Sequence, residues 1–179
     1  KLAHARYLCR NYDVNIIQHK YLHYGIGYEE PRLIDRNKLL EESVKDAINR
    51  WKKNISSFEN RLFLLEDTSV KIDALSKNDK EVPGVDVKYW MQQINFENLD
   101  LALRNNNNNR KVTVYSHLVL ILNNELRKIL GTEDVFKIFK SYSKGYITDK
   151  EYSFGTNKIY PWLDNKSFNK WFIPENETV

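Results

Sequence analysis

Glycine and proline are scarce in this sequence, six and four among 179 residues. So few breakers argue against a loop-rich β architecture and favour helices. A single cysteine, Cys9, excludes an internal disulfide and fits a reducing compartment. Long apolar runs are also missing. The nearest, Val112 to Leu122, is interrupted by Thr113, Ser116 and His117 and is too short for a hydrocarbon core of about 30 Å. No G-x-S-x-G elbow is present. The Gly25-Ile26-Gly27 step leads into Tyr28-Glu29-Glu30, whose charge would repel a phosphate. On these absences the chain is expected not to be an enzyme.

What is present is aromatic and charged. Eleven Tyr, eight Phe and four Trp need a core or a partner to cover them. The net charge is +4, but 24 acidic residues are mixed among 28 basic ones. That balance permits an anionic partner and demands none.

The periodicity predicts a mainly α fold, a small irregular multi-helix chain with extended connectors and an aromatic-rich C-terminal tail. Leu2 to Tyr24 reads as a helix or broken helix. Leu39 to Trp51 is amphipathic, with Leu40, Val44, Ala47, Ile48 and Trp51 on one stripe and Asp35 as its cap. Ser56 and Glu59 have capping-box spacing ahead of Phe58, Leu62, Phe63 and Leu65, which predicts a helix reaching toward Leu75. A short helix is expected over Val85 to Asn95. The asparagine run 105–109 is too polar to bury and marks a boundary, dividing the chain into 1–104 and 105–179. Beyond it, Val112 to Leu130 reads as a buried helix ended by Gly131, and Thr132 starts another through Phe139. Thr148 and Glu151 repeat the capping-box spacing. Tyr160, Trp162, Phe168, Trp171 and Phe172 form the tail, kept irregular by Pro161 and Pro174.

Candidate chemistry is sparse. His19 and His23 could share a helix face as metal ligands, but no third ligand is evident, and surface histidines explain them more simply. Trp51-Lys52-Lys53 and Arg110-Lys111 place cations beside aromatics as RNA-contacting groups do, although a solvated helix face accounts for them as well. No cofactor is expected.

The string Tyr21-Leu22-His23-Tyr24-Gly25-Ile26-Gly27-Tyr28-Glu29-Glu30, the helix segment Val44-Lys45-Asp46-Ala47-Ile48-Asn49-Arg50 and the element Arg61-Leu62-Phe63 resemble a known family. It is the binding-protein subunit, subunit seven, of mitochondrial ubiquinol–cytochrome c reductase (respiratory complex III). The resemblance covers about the first hundred residues. The family's proline after its first helix is replaced by Trp51-Lys52-Lys53, and its basic residues after the second arginine by Leu64-Leu65-Glu66-Asp67. The resemblance implies a non-catalytic accessory subunit on the matrix side of the mitochondrial inner membrane. It would pack against cytochrome b and the core subunits, peripheral to the membrane and without nucleic acid. Gly25, Tyr28, Glu29 and Glu30 would form its docking loop, with Arg50, Arg61 and Phe63 as further partner contacts. The aromatic tail would clamp a neighbouring subunit. The rival readings are a mitochondrial ribosomal protein contacting rRNA through Lys52, Lys53, Arg110 and Lys111, or a stalk-type ATP synthase subunit.

Overall fold

The computed structural model describes residues 2–17, 35–55, 61–78, 80–153, 155, 158 and 167–175. Helix α1 spans Leu2–Leu8 and α2 Arg36–Asn54. Strand β1 (Phe63–Ile72) and the short β2 (Pro83–Gly84) follow, then α3 (Val87–Gln93) and α4 (Phe96–Arg104). Strand β3 (Lys111–Ile121), α5 (Asn124–Leu130) and β4 (Phe136–Ile147) come next, and a 3-10 turn (Phe168–Trp171) leads into β5 (Phe172–Pro174). The strands make one antiparallel sheet in the order β2-β1-β3-β4-β5.

The mainly α expectation is therefore corrected to a mixed α/β fold. Helix α2 forms as its sequence directs. Its Asp35 side chain accepts from the Asn37 and Lys38 amides at 2.9 and 3.1 Å, and its apolar stripe is buried. The segment from Phe63 is a strand, not a helix. Its apolar residues sit at Phe63 and Leu65, then at Val70 and Ile72, so the buried parity changes face midway and imitates helical spacing. Val112 to Ile121 is also a strand. Rich in Val, Thr and Ile, it pairs residue for residue with β1 and β4, which outweighs any local helical preference. Gly131 does close a helix, α5, in a left-handed conformation at φ 58°. Phe136 to Phe139, expected in a helix, begins β4. Thr148 caps no helix: its amide donates to the Trp171 carbonyl at 2.9 Å.

Two apolar clusters lie on opposite faces of the sheet and toward opposite ends of its long strands. Leu40, Val44, Ala47, Ile48 and Trp51 of α2 pack on Phe63, Leu65, Val119 and Ile121. On the other face, Phe96, Leu99 and Leu103 of α4 pack with Val70, Ile72, Val112 and Ile147 around Phe168 and Trp171. Trp171 is 1% exposed, and its indole N–H donates to Glu151 at 3.0 Å. So Phe168 and Trp171, expected to clamp a partner, are core residues of this chain, while Tyr160 and Trp162 lie outside the described residues.

The asparagine run makes the turn between α4 and β3. Asn107 and Asn108 take positive φ of 57° and 52°, a region asparagine tolerates better than most residues. Arg110 ties this turn down. Its guanidinium pairs with Asp100, donates to the Thr148 carbonyl at 2.5 Å and to Asn108 Oδ1 at 2.9 Å. β1, before the run, pairs along its whole length with β3, after it.

Candidate active site

Between the two clusters the sheet is crossed by a polar belt. In β1 it is the run Glu66-Asp67-Thr68-Ser69, which interrupts the apolar residues at both ends of the strand. Antiparallel register sets what lies beside each. Asp67 faces His117, which faces Lys140. Ser69 faces Tyr115, which faces Tyr142. Directly opposed residues share a face, and alternation from Phe63 and Leu65 puts these two rows on the α2 side. Glu66 and Thr68 turn to the other face, with the Thr68 hydroxyl donating to Glu66 at 2.5 Å. Glu66 and Asp67 are therefore adjacent in sequence but divided by the sheet.

The N-terminal turn of α2 closes over the Asp67 face. Arg36 lies over the Tyr115 ring, 3.7 Å from its centroid, and pairs with Glu81 in the β1–β2 connection. Lys140 donates to Asn37 Oδ1 at 2.7 Å. The Tyr115 and Tyr142 rings stand 6.3 Å apart. His117 is 5% exposed; burial, then Arg36, then Lys140, hold its pKa below the ordinary histidine value, so it is neutral near pH 7. Two buried polar atoms here, Arg36 Nε and Ser69 Oγ, have no hydrogen-bond partner among the described residues.

A carboxylate, two cations, a neutral imidazole and two phenols thus share one partly covered face. Cations with fixed partners and a nearby carboxylate can hold a polyanion and orient water against it. Among the described residues no three His, Cys, Asp or Glu side chains gather as metal ligands would. Arg104, Asn107, Asn108, Arg110 and Asp149 line an open depression elsewhere. Its central cation, Arg110, is spent on internal partners, so that depression serves the fold.

The residues expected to bind partners do not converge here. Gly25, Tyr28, Glu29 and Glu30, with His19 and His23, lie outside the described residues. Arg50 pairs with Asp46 at 2.8 Å within α2. Arg61 is exposed just ahead of β1. Phe63 is buried, its ring centroid 4.9 Å from that of Trp51, and so is core. The capping-box spacing of Ser56 and Glu59 predicts a helix through this segment and so hides the belt. The signal for it is the four-residue polar run Glu66 to Ser69 between two apolar stretches that fit a strand.

A model of the Ham1 family matches residues 1–178. Among solved structures, the Ham1 protein of Staphylococcus aureus is 18% identical, with a TM-score of 0.47, over 75% of this chain and 60% of its own. The nucleoside-triphosphatase, or dITP/XTP pyrophosphatase, of Mycobacterium abscessus is 15% identical, with a TM-score of 0.43, over 74% of this chain and 59% of its own. The chain thus spans about three fifths of the length of these two proteins. No curated protein matches it. The family match runs through both the segment that resembles subunit seven and the part beyond it, and overturns that resemblance. The accessory role, its cytochrome b and core-subunit partners, and the ribosomal and ATP synthase alternatives are corrected with it.

Proposed function

We propose, because this chain belongs to the Ham1 family, that it is a nucleoside-triphosphate pyrophosphatase acting on nucleotides such as dITP and XTP. Family membership over residues 1–178 is the observation that carries the reading. It replaces the expectation of a chain with no catalysis of its own, since Ham1 family members are nucleoside-triphosphate pyrophosphatases.

The belt offers chemistry suited to that reaction. Water attacks the α-phosphorus, the α–β anhydride breaks, and pyrophosphate leaves with the bonding electrons. The protein's part is to place the phosphates, offset their charge and take a proton from the water. Lys140 supplies charge for the phosphates. Asp67, on the same face, is the group placed to orient the water and receive its proton.

The test is pyrophosphate release by the purified chain from dITP, XTP and dATP, with Asp67→Asn alongside. Release from dITP or XTP, reduced by about 10²-fold or more in a folded Asp67→Asn variant, is expected. Equal activity in that variant would remove Asp67 from the reaction. No release from any nucleotide would sink the assignment.

A further inference from the structure

We propose that Arg36 is an exchangeable phosphate ligand, resting on Glu81 and passing to the phosphates of the nucleotide as they enter. This rests on the pyrophosphatase reading for the identity of its ligand.

Four observations carry it. Arg36 Nε is buried and donates to nothing among the described residues, so one edge of the guanidinium still seeks an oxygen acceptor. The Ser69 hydroxyl, 1% exposed and likewise unpartnered, projects on the same face directly opposite Tyr115, whose ring carries that guanidinium. A phosphate presents several acceptor oxygens at once and can satisfy both donors. Thirdly, Arg36 and Lys140 both act on the neutral His117, so two cations flank one small region. Glu81 is the fourth. Its side chain is 30% exposed against 16% for Arg36, so water can take up the carboxylate when the guanidinium turns away.

Arginine rather than lysine suits this task. Its planar fork can stay stacked on Tyr115 while its donors change acceptor, which a flexible ammonium cannot do. No bond is made or broken; a guanidinium exchanges a carboxylate for a phosphate.

The experiment separates this role from the hydrolase reading by measuring binding without turnover. Inorganic tripolyphosphate is titrated calorimetrically into wild type, Arg36→Met, Arg36→Lys and Glu81→Gln, and KM and kcat are measured with dITP. Removing the guanidinium is expected to weaken tripolyphosphate binding about tenfold, with lysine falling between. KM should rise in step while kcat changes less. Freeing Arg36 by Glu81→Gln should tighten binding by about two- to tenfold. Circular dichroism and melting identify any variant that fails to fold, and Arg36→Lys keeps the test open if Arg36→Met does. Equal affinity in wild type and all folded variants overturns the proposal, and so does weaker binding in Glu81→Gln. A wild type that hydrolyses no nucleotide yet binds tripolyphosphate through Arg36 would overturn the hydrolase reading and uphold this one.

Discussion

Gly145 and Ile173 meet with no space for a side chain between them: a Cβ at position 145 would stand 2.1 Å from the Ile173 carbonyl oxygen. The Phe172 ring would be 2.6 Å away, so neither side can yield cheaply. Gly145 lies on β4 opposite Pro174, where β5 joins the sheet and seats the Trp171 turn. Gly145→Ala is expected to push β5 off the sheet and destabilise the chain by about 2 kcal/mol. Urea unfolding checks this, and an unchanged midpoint would show that the strands can part without cost.

Leu99 is fully buried at the middle of the apolar face of α4. Leu99→Ala leaves a cavity against Val70, Ile72 and Trp171 and should cost about 2–5 kcal/mol. Leu101 on the same helix is 58% exposed, and its truncation should cost about 0.5 kcal/mol or less. Comparable losses at the two positions would contradict the face assigned to α4.

His117 should make stability fall in mild acid. The unfolded chain takes up a proton on this imidazole near the ordinary value of 6.5, while the folded chain resists until lower pH. Below that value the unfolded state binds more protons, so stability declines as pH falls toward the depressed folded pKa and is fully present above 6.5. Unfolding wild type and His117→Asn in urea at about pH 8 and about pH 5 isolates the effect. The wild type should lose more stability than the variant over that interval; equal losses would mean that the imidazole titrates freely.

Helix α2 is the most legible part of this sequence. Asp35, then Leu40, Val44, Ala47, Ile48 and Trp51, specify the start and inner face of α2 by short-range chemistry alone, and that is how it folds. Gly131 announces its own C-cap for the same reason. The strands depend on partners distant in sequence. Val119 owes its burial to Leu65 beside it and α2 above it, and neither can be read from the run Leu118 to Leu122. The site is harder still to see. Asp67, His117 and Lys140 are separated by 50 and 23 positions and meet only through strand register. Arg36 enters from a fourth element. The expected partner contacts at Arg50 and Phe63 were local features of α2 and β1, already committed to an ion pair and to the core.

The offset of the two apolar clusters has a mechanical consequence for the polar belt. Each cluster grips one end of the same three long strands, from opposite sides, and between them the strands are joined to one another by the peptide ladder. The belt is thus a span supported at its two ends. A load applied at either end, such as a repacked α2 or a displaced α4, reaches it as a twist of the whole span. Asp67, His117 and Lys140 would turn together on their shared row, keeping their spacing to one another while their aim shifts relative to Arg36 on the helix above.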